Sequence, residues 1–494
     1  MFVWGFRSLT GNGLRRQNPS GSSGNETDNV GRKARGSRLT EISPLASTIC
    51  LEPWIGSEGF MDRINIGIIG FGTVGSGTVE ILMANKDMIA DRIGAEIAVR
   101  KIADLDIRTD RGIAVDPGLL TTDALDVIND PEIHIVVELM GGTDKAKEFI
   151  LMAMKKGKHV VTANKALLAE HGREIYDSAE ENGVSLAFEA SVGGGIPIIR
   201  ALREGLSANR IKTIMGILNG TSNYILTQMT QKGLPYDQAV EETIKLGYAE
   251  DPPTLDVNGT DAAHKLAILV SIAFGMPVRF ENIHREGIEQ LTPEDIHFAG
   301  EFGYCVKLLA IARSVGTKVE ARVHPAMIPL DHIMANVNGV YNAIYVEGDF
   351  VGPNLYYGLG AGKRPTGSAV VSDLIHLSRQ LRNGVKNLIP PLAYARCAGE
   401  EISIRPIEEL QTSYYFRFSA LDRPGVLSKI SGVLGEYGIS IYSVIQKGRQ
   451  ISGSVPVVML THEASESSVK KALLQMDRIE VLTGKTIVIR VGVS

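Results

Sequence analysis

Four side chains that could run acid–base chemistry crowd one short stretch, "GYAEDPPTLDVNGTDAAHKL", residues 247–266: Glu250, Asp256, Asp261 and Lys265. Asp261 and Lys265 stand four apart, so on a helix they lie one above the other on a single face. The stretch runs straight into "AILVSIAF", which predicts a buried helix over residues 261–274, with Thr260 as its N-cap after Gly259. An acid and a lysine at the mouth of such a helix are expected in a cleft, where a lysine's pKa can fall toward neutrality and let it trade protons. The alternative is an exposed ion pair worth only ~0.3–0.5 kcal/mol. Glu250 and Asp256 precede the helix on a loop stiffened by Pro252 and Pro253. They suit an ammonium or hydroxyl of a substrate, or are plain surface acids. His264 is read as a packed histidine rather than a catalytic one.

A second constellation is Gly70-Phe71-Gly72-Thr73-Val74-Gly75, a G-x-G-x-x-G between the predicted strand 64–69 and the predicted helix 76–84. In that context Gly70 allows a tight turn, Gly72 lets a pyrophosphate approach the backbone, and Gly75 lets helix pack on strand. The pyrophosphate then meets the free N–H groups at the helix start. Asp104, at the end of the second predicted strand, is the expected ribose partner. It lies farther on than the usual ~20 residues because "MANKDMIADRIGA" lengthens the helix and its loop. A carboxylate there repels a 2′-phosphate and favours NAD over NADP. Arg100, Lys101 and Arg108 stand close enough to weaken that argument, and Asp104 as a plain loop acid is the alternative.

Both constellations need a scaffold. From Arg63 strands alternate with helices, which predicts a parallel sheet covered on both faces. After residue 195 strands such as "KVEARVHPAMI" and "NAIYVEGD" mix with longer helices, and "PTGSAVVSDLIHLSRQL" reads as a late helix with Pro365 in its first turn. "EFGYCVKLLAIARSV" reads as a helical apolar pattern, which makes Cys305 a core residue rather than a nucleophile. From about residue 413 a unit of some 80 residues reads as βαββαβ, ferredoxin-like. Residues 1–60, rich in Gly, Ser, Asn and Arg, are expected to be disordered, a mis-assigned start or a dispensable tail or, less favoured, a targeting arm.

The totals exclude several function classes. The 494 residues carry a formal net charge of −5, 44% hydrophobic and 22% charged side chains, with no basic stripe for nucleic acid. No apolar run approaches the ~18 residues of a transmembrane helix. Three cysteines, Cys50, Cys305 and Cys397, show no metal-ligand spacing and are too few for a disulfide framework, so a reducing, cytoplasmic setting is expected.

Taken together, "GFGTVG", "VVTANKALLA" (160–169), "FEASVGGGIPII" (188–199), "LNGTSNYIL" (218–226), the 247–266 stretch and "GLGAGKRPTGSAVVSDL" (358–374) resemble the signatures of homoserine dehydrogenases. The tail, with "LDRPGVLSKI" (421–430), resembles an ACT regulatory domain. The resemblance implies an α/β protein in parts: an NAD(P)-binding Rossmann domain at 61–195, an α+β catalytic and dimerisation domain at 196–405 whose late helix 365–381 returns to the Rossmann domain, and a ferredoxin-like ACT domain at 413–494. It implies interconversion of L-homoserine and L-aspartate 4-semialdehyde with NAD or NADP. It makes Lys265, Asp261 and Lys165 catalytic, and Glu250 and Asp256 substrate-binding. It adds Met140, Lys165 and Gly360 to the cofactor residues, and a sodium ion at Glu189, Val192, Gly194 and Ile196, bound largely through backbone carbonyls. It also implies a homodimer or tetramer and an amino-acid effector, threonine the natural choice, docking near Gly425.

Two positions depart from the family pattern. "EDPPT" places Pro252 where the family often has an aspartate, which puts Asp251 in doubt as a ligand. Leu105 stands where the family often has an arginine, which removes a partner for a 2′-phosphate. The competing readings are another semialdehyde or hydroxy-acid dehydrogenase, and a catalytically inactive amino-acid-sensing protein.

Overall fold

The βα alternation beginning at Arg63 builds a six-stranded sheet: β1 (Arg63–Ile69), β2 (Glu96–Ala103), β3 (Leu120–Thr121), β4 (Ile135–Glu138), β5 (His159–Thr162) and β6 (Leu186–Ala187). Its order is β3-β2-β1-β4-β5-β6, and every pairing is parallel. The reversal between β1 and β4 opens a crevice at the C-terminal ends of these strands, where dinucleotides bind in doubly wound folds. The coordinates are those of a computed structural model, which describes residues 61–385, 389–395, 403–447 and 453–492. The expected disorder of residues 1–60, and Cys50 and Cys397, lie outside the described residues.

Helix Thr73–Ala84 follows β1 directly, starting three residues earlier than expected. "MANKDMIADRIGA" forms a separate helix, Lys86–Ile93, instead of prolonging the first. The late helix Lys363–Arg382 comes back to this sheet: its Val370, Leu374 and Leu377 share one core with Ile64, Ile66, Ile68, Val79 and Leu82. It crosses helix Thr73–Ala84 at two glycines. A Cβ on Gly77 would lie 2.2 Å from the Lys363 carbonyl oxygen, and one on Gly367 would lie 2.8 Å from the Gly77 carbonyl carbon.

The rest of the chain supplies β7 (Ile211–Ile217), β8 (His284–Arg285), β9 (Tyr304–Val315), β10 (Lys318–Pro329), β11 (Tyr341–Gly348), β12 (Gly352–Leu359), β13 (Gln411–Thr412), β14 (Tyr414–Leu421), β15 (Ile441–Gln446), β16 (Ser454–Thr461), β17 (Ala464–Ser465) and β18 (Ile487–Val491). Strands β13 and β17 pair with each other; the others form a ten-stranded sheet, β12-β11-β7-β9-β10-β18-β14-β16-β15, with β8 also on β10. The C-terminal unit has the expected βαββαβ order, but its sheet is not separate. Strand β18 pairs in parallel with β10, Ala326 opposite Arg490 and Met327 opposite Val491.

Two local expectations are corrected. The run around Cys305 is strand β9, not a helix. Both faces are buried, so the strand is apolar throughout, and periodicity alone cannot separate such a run from a buried helix. Its side chains alternate: Val306, Leu308, Ala310 and Ala312 join the core that holds Leu266 and Leu269, while Cys305, Leu309 and Ile311 face a second cluster with Met215 and Ile328. Thr260 is not the N-cap of the buried helix but its first residue. Gly259, at φ +83°, caps helix Thr260–Phe274, and the Thr260 N–H donates to Asn258 Oδ1 at 2.9 Å. Among the described residues no helix is long and apolar enough to cross a membrane.

The glycine crossing yields a stability prediction. Gly77→Val should force the two helices apart and cost ~1–3 kcal/mol of unfolding free energy, as overpacking does, read from the midpoint of denaturant unfolding.

Candidate active site

Helix Thr260–Phe274 is buried along almost its whole length, and its first turns carry the chemistry. Lys265 Nζ donates to Asp261 Oδ2 at 2.8 Å and to the Leu218 carbonyl at 2.7 Å. On its other oxygen Asp261 faces Lys165, with Nζ 3.2 Å from Oδ1. Lys165 opens helix Lys165–Glu181, which follows β5, and the Asn164 side chain caps that helix by accepting from the Leu167 N–H. One carboxylate therefore sits between two lysines brought from two different helices.

Asn219 completes the cluster. It ends β7's exit and caps helix Gly220–Lys232, accepting from the Ser222 N–H at 2.8 Å. Its Nδ2 donates to Asp256 Oδ1 at 2.6 Å and to Asp261 Oδ2 at 2.8 Å. Asp256, Asp261, Lys265 and Lys165 all line one cleft of about 560 Å³, which Thr73 and Val74 of the glycine turn and Gly360 also line. Glu250 is exposed and does not line the cleft, although its charge reaches Lys165.

The glycine turn has the geometry that a dinucleotide requires. Gly70 takes φ +102°, and a Cβ there would lie 2.6 Å from the Leu139 backbone. Above Gly72 the space is open to 4 Å, and a Cβ on Gly75 would lie 2.2 Å from the Gly70 oxygen. Asp104 is at the turn, where its Oδ2 accepts from the Phe71 N–H at 2.5 Å and its Oδ1 from the Asp106 N–H at 2.8 Å. Arg100 is engaged elsewhere, with Asp130 and Glu132. Across the crevice the Met140 N–H donates to Glu138 Oε1 at 2.9 Å, and Thr162 Oγ1 donates to Glu138 Oε2 at 2.6 Å. Burial pushes the Glu138 carboxyl up to about 7 against those two hydrogen bonds.

A nucleotide turn and a Lys–Asp–Lys cluster opening on one cleft can be compared with known proteins. The family model "Homoserine dehydrogenase" matches residues 197–375, "Homoserine dehydrogenase, NAD binding domain" residues 70–189, and "ACT domain" residues 414–480. The homoserine dehydrogenase of Pseudomonas aeruginosa is 47% identical over 432 residues, covering 87% of this chain and 99% of that one. The chain belongs to the homoserine dehydrogenase family. The relative from Neisseria gonorrhoeae is 44% identical over 430 residues, 87% of this chain and 99% of that one. The crystal structure of the Thiobacillus denitrificans homoserine dehydrogenase superposes with a TM-score of 0.83 at 47% identity, covering 88% of this chain and 99% of that one.

Within this family member, the sodium residues expected from the sequence fall on an irregular loop. Glu189 opens a single 3₁₀ turn, Glu189–Ser191, and Gly193 and Gly194 take φ +71° and +52°. The Glu189 carboxylate is spent on the fold, accepting from the Ile199 and Arg200 N–H groups at 2.8 and 2.9 Å. Any cation here therefore depends on main-chain oxygens, of which that of Ile196 already accepts from the Ile198 N–H at 2.8 Å. Val192 is fully buried beside this turn. Among the described residues no group of three or more His, Cys, Asp or Glu side chains could hold a metal. Gly194 presses on the 358–362 loop, since a Cβ there would lie 2.5 Å from the Gly360 oxygen.

Sequence reasoning missed two residues. Asn219 lay inside a recognised motif, but nothing in its spacing marked it as the bridge between two acids. Asn342 on β11 lines the cleft beneath Gly360, fully buried, with neither side-chain amide atom hydrogen-bonded. His264 is packed as expected, its ring 4.3 Å from that of Phe280 and outside the cleft. Cys305 is buried away from the cleft, and burial pushes its thiol up.

Electrostatics follow from this packing. Burial alone would raise Asp261, but the charges of Lys265 and Lys165, with hydrogen bonds from Lys265 and Asn219, hold it well below the usual carboxylate range. Burial raises Asp256 despite the Asn219 hydrogen bond. The Asp261 charge raises Lys165 above an ordinary lysine, against burial. The pairing of Lys165 thus adds stability below the unfolded lysine pKa, and loses it as pH rises through the higher folded value. Lysine-selective ¹³C NMR should place the Lys165 midpoint above that of free lysine in the native protein and lower it in Asp261→Asn. An unmoved midpoint would remove Asp261 as the cause.

Proposed function

We propose that this homoserine dehydrogenase interconverts L-homoserine and L-aspartate 4-semialdehyde at the Lys165–Asp261–Lys265 cluster. The observation that carries the reading is a single buried carboxylate holding two lysines at the wall of the cleft that the glycine turn enters. A nicotinamide bound across that turn supplies the hydride chemistry. Lys265 has three ammonium donors, and Asp261 and Leu218 take two of them. The third is left for the reacting oxygen of the substrate. In the reducing direction it stabilises the developing alkoxide and delivers the proton; in the oxidising direction the neutral amine takes the hydroxyl proton, which favours alkaline pH. Asp261 holds Lys265 in place and balances the charge of Lys165, which stands between cofactor and substrate. Asp256 and Glu250 receive the ammonium end of homoserine, Asp256 within the cluster and Glu250 from outside it.

NAD is favoured over NADP because Asp104 stands at the turn with the exposed Leu105 beside it and Arg100 is paired elsewhere. A hyperthermophilic archaeal homoserine dehydrogenase, 30% identical with a TM-score of 0.55 over 64% of this chain and 98% of that one, was solved in complex with NADPH. A sodium ion at the main-chain oxygens of 189–196 would tie that loop to the cofactor loop at Gly360. In the ACT domain Gly425, at φ +86°, caps helix Val426–Glu436 with open space above it. A small amino acid such as L-threonine would dock its carboxylate there, and the site would be completed by a second copy in a homodimer or tetramer.

Replacing Lys265 by Ala should lower kcat ~10²–10⁴-fold with the fold retained, as for a lost proton donor, whereas Glu250→Ala should act mainly on the KM for homoserine. Wild-type kcat in Lys265→Ala would transfer the role to Lys165. Purified protein should give a higher kcat/KM with NAD than with NADP in homoserine oxidation followed at 340 nm. Parity, or a preference for NADP, would show that Arg108 or Lys101 supplies the missing cation.

A further inference from the structure

Residues 286–295, "EGIEQLTPED", cross from β8 to helix Pro293–Glu301 and belong to neither the cleft nor the ACT domain. Two buried arginines of the ACT domain hold this segment at its ends. Arg490, on β18, donates to Glu286 through both terminal nitrogens, Nη1 to Oε2 at 2.7 Å and Nη2 to Oε1 at 2.8 Å. The same guanidinium donates to Glu466 at 2.8 and 2.6 Å. Arg417, on β14, donates to Asp295 at 2.6 and 3.0 Å and reaches Thr292 Oγ1 at 3.3 Å. Asp295 itself caps the helix in a reciprocal box with Thr292.

Near its Arg490 end the segment braces the end of the short helix Thr254–Val257, which carries Asp256 and stands where a loop was expected. The Ile288 N–H donates to the Val257 carbonyl at 2.9 Å, and the Glu286 N–H to that of Val323 at 2.8 Å. A Cβ on Gly287 would lie 2.4 Å from the Val257 oxygen and 2.7 Å from Asn258 Cα; one on Gly259 would lie 3.2 Å from the Glu286 oxygen. Val257, Asn258 and Gly259 are the residues between Asp256 and the start of helix Thr260–Phe274. Displacement of the segment therefore moves Asp256 and the entry to Asp261, while the glycine turn at Gly70–Gly75 is untouched.

From this geometry we infer that residues 286–295 form a positioning strap: the ACT domain grips it through Arg490 and Arg417, and it sets the placement of Asp256 and hence the affinity for the amino-acid substrate, not for the nucleotide. The inference rests on the reading of Asp256 as a substrate ligand. Glu286 and Gly287 are positioning residues that touch neither substrate nor cofactor. An effector that shifts the ACT sheet has, in this strap, a physical route to homoserine binding, because the two sites share one mechanical element.

The experiment is steady-state kinetics on the full chain, with homoserine and cofactor varied separately, in wild type, Glu286→Gln, Gly287→Ala and Asp256→Asn. Absence of homoserine oxidation in wild type, or an unchanged homoserine KM in Asp256→Asn, would sink the underlying functional reading. With both intact, Glu286→Gln and Gly287→Ala are expected to raise the homoserine KM about 3- to 30-fold, with cofactor KM and kcat within about twofold. Gly287→Ala leaves both ion pairs in place, so it tests the brace without disturbing buried charge. Unchanged homoserine KM in Glu286→Gln and Gly287→Ala variants with native circular dichroism, or an equal rise in cofactor KM, would overturn the strap.

Discussion

Everything in the site turns on one carboxylate kept ionised out of water. Asp261 is 7% exposed, and a lone buried carboxylate would take up a proton rather than hold its charge. Two lysine ammonium groups and the Asn219 amide make the charge tolerable. Removing one partner from such a buried group costs about 3–5 kcal/mol, far more than a surface ion pair is worth. That asymmetry explains why the surroundings are so fully specified. The Leu218 carbonyl, the Asn164 cap and the Gly259 turn each fix one member of the cluster within hydrogen-bonding distance of the next.

The same constraint explains how the two sheets meet. Lys165 opens the helix that follows β5 of the parallel sheet and Asp261 lies on the helix packed on the mixed one, so the cluster forms only when the two are held in fixed relation. The late helix Lys363–Arg382 does this. It leaves the second sheet through the 358–362 loop, packs glycine to glycine on the first helix of the nucleotide fold, and lays Gly360 against Gly194 and Asn342. Close backbone approach leaves no room for side chains at these crossings, which accounts for several of the 53 glycines in the chain.

The C-terminal domain is bound in as tightly. A domain joined by a linker alone could move without consequence for the cleft. Here β18 extends the catalytic sheet at β10, and Arg490 and Arg417 bury their charge against acids of the adjoining domain. Buried ion pairs add little net stability compared with apolar packing, but they fix one arrangement, since each misplacement strands a charge. An interface of this kind suits a domain whose state must be felt elsewhere.

By itself, the sequence determined most of the order of elements, the glycine turn and the pairing of Asp261 with Lys265 on one helix face. Each is a local property: the strand–glycine–helix succession at 64–84, the i, i+4 spacing of Asp261 and Lys265, and the βαββαβ pattern of the tail are written in neighbouring residues. Tertiary structure decided whatever depends on partners distant in the chain. Strand β9 looked helical because burial on both faces erases the alternation that would reveal a strand. The N-cap at Gly259 rather than Thr260 follows from a left-handed turn that the segment at Glu286–Ile288 holds in place. Asn219 bridging two acids, Asn342 beneath Gly360, and Glu250 standing exposed outside the cluster are matters of distance across the fold. No spacing along the chain encodes them, because the atoms that meet there come from separate strands and helices, 37 and 42 residues apart for the two Asn219 contacts.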